Sequence, residues 1–264
     1  MIIIYAMPAP GFCPALPRVV LAALAFVVAG ACAGQPTEDP VRTTSPSGSW
    51  TAPSAREAAD RDRALVRVVA AIPGLSRLDL FADGQKIAGA LEYKTITPYM
   101  EVQSGRQPLR LRPAGMDTAD PLAEQTHQLR AGQHYTVVIM PGENGSSAAA
   151  VRIFDDALNP PGRGRAKLRI VHAAADAGHV DVHMEGRADP LASGLEFQRA
   201  SDFIELEPPA GSIELRPPKR TETMLRLPDL GLSAGGMYTV VVVGRARTEP
   251  PLETLVLEDR IARP

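Results

Sequence analysis

The chain repeats itself, and the repeat limits its architecture more than any other feature. "ALVRVVAAIPGLSRLDLFADG" at 64–84 aligns without gaps to "AKLRIVHAAADAGHVDVHMEG" at 166–186, an offset of 102. Six positions are identical: Ala64/Ala166, Arg67/Arg169, Val69/Val171, Ala71/Ala173, Asp79/Asp181 and Gly84/Gly186. "LRAGQHYTVVIM" (129–140) matches "LSAGGMYTVVVV" (232–243), and "LRLRP" (109–113) matches "IELRP" (213–217). "VRIFDDAL" (151–158) matches "TLVLEDRI" (254–261). The order is collinear and the offset drifts by two residues, the mark of a duplicated module of about 100 residues.

Each copy reads as short strands. In the first, Val66–Ala70, Arg77–Ala82, Tyr99–Val102, Leu109–Arg112 and Tyr135–Met140 alternate or run apolar. Turn signals separate them at Pro73-Gly74, Asp83-Gly84, Ser104-Gly105 and Pro141-Gly142. The 25 prolines disfavour long helices. The rhythm predicts an all-β chain of two tandem immunoglobulin-like β-sandwich domains, at 62–158 and 166–264, joined by a linker at 159–165. "YTVVIM" and "YTVVVV" read as central strands buried on both faces, their tyrosines filling the core; a corner role for the hydroxyls is the alternative.

The segment before the repeats reads as an address. Arg18 precedes an apolar run of about 13 residues that ends in Ala29-Gly30-Ala31-Cys32. That run is too short to span a bilayer, which needs about 20 residues, and has the length of a signal-peptide core. The small residues before Cys32 resemble the bacterial lipobox, so 1–31 is expected to be a lipoprotein signal peptide and Cys32 the lipidated residue. Ordinary secretion through the Ala29-x-Ala31 site is the alternative, and an uncleaved anchor a further one. Cys13 would leave with the signal, so the mature chain would keep one cysteine, at its start. Residues 32–61, rich in Pro, Ser, Thr and Ala, read as a flexible tether.

The second copy holds three of the five histidines. His179, Asp181 and His183 alternate and so share one strand face, with i and i+2 roughly 6.8 Å apart. Two could converge on an ion, with His172 arriving from a neighbouring strand. The first copy carries Ala70, Arg77 and Phe81 where His172, His179 and His183 stand, and only Asp79 matches Asp181. The scaffold therefore does not need imidazole there, and the favoured reading is polar residues on a solvated sheet face. A metal site or a polar-ligand site is the alternative. His127 and His134 read as ordinary surface or edge residues, and Asp155/Asp156 as strand-end carboxylates. No G-x-S-x-G, H-E-x-x-H, C-x-x-C or phosphate-loop pattern occurs. With a net charge of −2, no nucleic-acid partner is expected.

"LRIVHAAADAGHVDVHMEG" resembles the opening of domain-of-unknown-function family 4397, whose members begin with a Val-Arg-Val-Val-His strand, an Asp-containing turn and a Val-Asp-Val strand. Here these fall on Leu168–His172, Asp176 and Val180–Gly186, with Ala174-Ala175 where the family often has Ser-Pro. The first copy departs further, with Ala70 for the His and Gly74 for the Asp. The resemblance implies an exported, often tandem, β-rich envelope module with no established reaction. "ALVRVV" at 64–69 is also similar to the family of periplasmic accessory proteins of alginate O-acetylation.

These readings together lead to the expectation of a non-catalytic, lipid-anchored cell-envelope protein displaying two sandwiches for binding another envelope component, protein or polysaccharide. No cofactor is expected. An accessory subunit of exopolysaccharide modification or export is the alternative, and a metal-dependent enzyme in the second copy a distant third.

Overall fold

In a computed structural model, residues 54–143, 149–156, 159–208, 210–228 and 230–260 are described. The segment expected to be a signal peptide, Cys32 and most of the expected tether lie outside them. The first half contributes β1 (Arg63–Ala70), β2 (Leu78–Ala82), β3 (Gln85–Leu91), β4 (Met100–Gln103), β5 (Gly105–Pro113), β6 (Ala123–Leu129), β7 (His134–Pro141) and β8 (Ala149–Asp156). The second contributes β9 (Ala166–His172), β10 (Val180–Met184), β11 (Ala192–Leu195), β12 (Ile204–Leu206), β13 (Ile213–Arg216), β14 (Leu225–Leu227), β15 (Gly236–Val243) and β16 (Glu253–Arg260).

Each half is a sandwich of two four-stranded sheets. The first pairs β4-β1-β7-β8 with β3-β2-β5-β6; the second pairs β12-β9-β15-β16 with β11-β10-β13-β14. Adding eight to every strand number converts one half into the other. β1 runs parallel to β7, and β9 parallel to β15, while the other pairs are antiparallel. The first two strands of each half thus lie in opposite sheets, whereas in an immunoglobulin constant domain they share one.

The period-2 alternation of a strand explains how the two halves meet. In β1, Ala64, Val66, Val68 and Ala70 enter the first half's own core, as do Tyr135, Val137 and Ile139 of β7. Leu168, Ile170, Tyr238, Val240 and Val242 do the same in the second half. The opposite faces of these strands are also buried. Val69, Ala71, Val138 and Met140 pack with Val171, Ala173, Val241, Val243, Leu255 and Leu257 in a third cluster drawn from both halves. The double-sided burial expected of "YTVV" is present because the neighbouring half covers the second face.

Two local features differ from expectation. The last residues read as tether form a helix, α1 (Ala55–Asp60), closed at its start by a capping box between Ser54 and Glu57. Its Ala58 is fully buried. The two tyrosines are corner residues: the Tyr135 hydroxyl accepts from Arg130 N at 2.9 Å, and that of Tyr238 from Ser233 N at 3.0 Å. Strand-start burial alone does not fix a hydroxyl, but the loop five residues upstream offers each an unpaired amide. Asp156 does end β8, yet it is buried, 3% exposed. Among the described residues no helix is long and apolar enough to cross a membrane.

Candidate functional site

The outer faces of β1-β7-β8 and β9-β15-β16 carry charge into the middle of the apolar interface. Arg67 of the first half donates through both terminal nitrogens to Asp259 of the second, at 2.9 and 2.8 Å. Reciprocally, Arg169 of the second half pairs with Asp156 of the first. Each arginine also reaches its own half's threonine: Arg67 Nε to Thr136 at 2.8 Å, Arg169 Nη2 to Thr239 at 3.0 Å. Each guanidinium lies over an aromatic ring, Arg67 on Tyr99 at 4.7 Å and Arg169 on Phe203 at 4.6 Å. Arg67/Arg169, Thr136/Thr239 and Asp156/Asp259 are counterparts in the repeat, so the contacts obey an approximate two-fold, as in an isologous interface. The identity Arg67/Arg169, visible in sequence, finds its reason here.

Asp156 is the pivot. Its Oδ2 accepts from the Thr136 hydroxyl at 2.6 Å and the Tyr99 hydroxyl at 2.9 Å, and lies 3.7 Å from Arg67. Burial pushes its carboxyl up, but the Arg67 and Arg169 guanidiniums and the Thr136 hydroxyl outweigh that, and the net shift is downward. The same environment holds the Tyr99 phenol well above its usual range, chiefly through burial.

The candidate histidines are dispersed. His172, at the end of β9, is fully buried rather than on a solvated face. Its Nε2 lies 2.6 Å from the Gly178 carbonyl, and its Nδ1 accepts from Ala174 N at 3.4 Å. That pairing assigns the proton to Nε2, and burial lowers the pKa, favouring the neutral ring. His179 is exposed in the loop before β10, and His183 is half-buried on the strand. Asp181 accepts from Gly194 N at 2.6 Å. Its counterpart Asp79 accepts from Ala90 N at 2.7 Å and Gly115 N at 3.1 Å. Both aspartates thus clamp a left-handed residue at a strand irregularity, Ala90 at φ 53° and Gly194 at φ 61°. The shared Asp is structural. Among the described residues, no group of three or more His, Cys, Asp or Glu is placed to hold a metal ion.

His172 serves a different site. Its backbone carbonyl accepts from Gln198 N at 2.8 Å and its N–H donates to the Arg199 carbonyl at 2.9 Å. Its ring meets Phe197 edge-on, centroids 6.0 Å apart. It therefore braces the turn Glu196–Arg199, in which Gln198 is held at φ 65°. That turn faces Gln125, His127, Glu143, Arg152 and Ile153 of the first half across a cleft of about 460 Å³. Gln198 Nε2 crosses to the Pro141 carbonyl at 2.8 Å. His127, on the edge strand β6 as expected of it, also sits on this wall, 3.4 Å from Asp155. His134 is half-buried beneath the edge of Tyr99, and burial lowers its pKa. The motifs "LEYKT" (91–95) and "LEFQR" (195–199) are the sequence signal for these paired turns.

Sequence comparison reaches the same segment. A family model matches from the first residues of β1 through the first two strands of the second half, residues 64–183. Those residues match the family described as Domain of unknown function (DUF4397). The DUF4397 match takes in His172, Asp176 and the Val180–His183 strand, and ends before Glu196. Within it, Asp176 accepts from Ala246 N at 2.8 Å and Arg247 N at 3.1 Å, tying the Asp-containing turn to the loop after β15. No curated protein sequence matches the chain. Among solved structures, the chain is similar to a proposed cell adhesion protein from Bacteroides uniformis, at 8% identity and a TM-score of 0.21, covering 75% of this chain and 99% of that one. A likeness that slight carries no inference about this chain.

Proposed function

We propose that the protein is a non-catalytic, lipid-anchored component of the cell envelope that presents its paired sandwiches to another envelope component. The observation that carries this reading is the cleft between the halves, walled by both and held open by a buried, hydrogen-bonded interface. Binding sites favour such junctions between packed units, and a volume of about 460 Å³ lies within the roughly 300–1,000 Å³ usual for them. The candidate histidines support binding over metal chemistry, because His172 is committed to backbone partners and to the cleft turn. Cys32 would carry the lipid and the segment after it would set the distance from the membrane.

Two experiments test this. A photo-crosslinking residue replacing Gln125 in the cleft wall is expected to give a defined envelope adduct in cells, and one replacing the remote, exposed Arg220 is not. Equal or absent labelling at both positions refutes the cleft as the binding face. Fractionation tests the anchor: Cys32→Ala is expected to move the protein into a soluble exported fraction, and retention in the membrane fraction refutes acylation.

A further inference from the structure

The cleft breaks the approximate two-fold that the rest of the interface obeys. Register places Arg152 opposite Val138 on β7 and Leu255 opposite Val241 on β15. Val138 and Val241 are counterparts, so Arg152 and Leu255 are too. Leu255 is 1% exposed within the interface cluster, whereas the Arg152 side chain is about one-third exposed and lines the cleft. The turns diverge in the same way. Lys94 of the first half crosses to Glu253 with an ion pair of 2.5 Å, but its counterpart Gln198 crosses with an amide to a carbonyl. The fold is satisfied by an apolar residue and an ion pair at one end. At the other end it carries charge, aromatic surface and open volume.

The groups there specify a chemistry. Gln198 is 4% exposed with its Oε1 shielded from solvent, so it forms the cleft wall and the groups open to a ligand are the exposed ones around it. Arg152 lies 3.5 Å from Glu143 and Arg199 lies 4.0 Å from Glu196. Both separations exceed the roughly 2.7–3.2 Å of a good hydrogen bond, so donors and acceptors remain available to a ligand. Two arginines balance two glutamates: an anion would meet Glu143 and Glu196, a cation Arg152 and Arg199. Hydroxyl groups, which both donate and accept, match such a lining. Half-buried Phe197 adds an apolar surface for the C–H face of a ring.

We propose that this cleft binds a neutral oligosaccharide, with Arg152, Arg199 and Glu143 bonding its hydroxyls and Phe197 beneath a sugar ring. The assignment rests on the binding reading above and names its ligand class. Titration of the full chain in detergent with maltotriose, chitotriose and mannotriose, followed by saturation-transfer NMR and calorimetry, tests it. At least one of these is expected to bind. Arg152→Leu, which installs the counterpart residue, and Arg199→Ala are each expected to weaken binding about tenfold, as for loss of a charge-assisted hydrogen bond. The melting temperature of Arg152→Leu should stay unchanged. The proposal falls if none of the three binds at millimolar concentration, if binding ignores both substitutions, or if anionic trigalacturonate binds more tightly than all three. If none binds while the position-125 crosslink still forms, the binding reading stands and only the glycan assignment is lost.

Discussion

Asp156→Ala is the sharpest test of how the two halves are held together. The substitution leaves the Arg169 guanidinium, 4% exposed, without its carboxylate, and removes the acceptor of the Thr136 and Tyr99 hydroxyls. Removing one partner of a buried ion pair costs about 3–5 kcal/mol, because an uncompensated charge remains. For a folded unit of this size each kcal/mol moves the melting temperature by about 2–4 °C, so a fall of roughly 6–20 °C is expected. Replacing both partners, Asp156→Leu with Arg169→Met, strands no charge and should cost less than Asp156→Ala alone. The counterpart pair, Arg67→Met with Asp259→Leu, should likewise cost less than Asp259→Ala alone, although Asp259 is bonded to Arg67 without the two hydroxyls that Asp156 accepts. The pH dependence has a definite sign. The folded carboxyl of Asp156 lies below its unfolded value, so its contribution is complete above about pH 4 and is lost as pH falls through the folded pKa. Calorimetry and urea titration at neutral pH provide the measurement. A loss below about 1 kcal/mol for Asp156→Ala, or a double variant as unstable as the sum of its singles, would refute the buried network as the tie between halves.

Two further outcomes follow from local geometry. Burial depresses the His172 pKa, so wild-type stability should decline as pH falls below about 6.5, where the unfolded imidazole takes up a proton that the folded one resists. His172→Gln should flatten part of that slope and cost about 1–3 kcal/mol at pH 7, read from urea midpoints across pH; an unchanged slope would contradict the neutral buried ring. Gly132→Ala should lower stability by more than about 1 kcal/mol, because Gly132 has φ 72° and an added Cβ would sit 2.8 Å from Ala59 Cβ; faster amide exchange in α1 should accompany it.

Much of the fold was written locally. The strands that pack inward on both sides of a sheet show continuous apolar runs, and the repeat placed them twice. β3 and β6 were harder to see. "AEQTHQL" carries one fully buried residue, Leu129, and holds its place by pairing with β5 rather than by an apolar stripe. α1 left a legible trace in Ser54-x-x-Glu57, a reciprocal cap, although six residues give no helical period to read. Within the site, the histidine spacing pointed to a shared face, but His172 and Asp181 take backbone partners fixed by turns that spacing does not encode.

The sequence alone determined that one sandwich pattern occurs twice, because a strand's period of two writes inward and outward faces into neighbouring residues. It also marked Arg67/Arg169 and Asp79/Asp181 as shared, without saying why. Only the tertiary structure decided that the outward arginines are buried and cross-paired with Asp259 and Asp156. The interface pairs Arg67 with a residue 192 positions away and Arg169 with one 13 positions away, and whether a charge at a strand end meets water or a guanidinium depends on what covers that face. The cleft is likewise a product of that docking, since its two walls come from different halves.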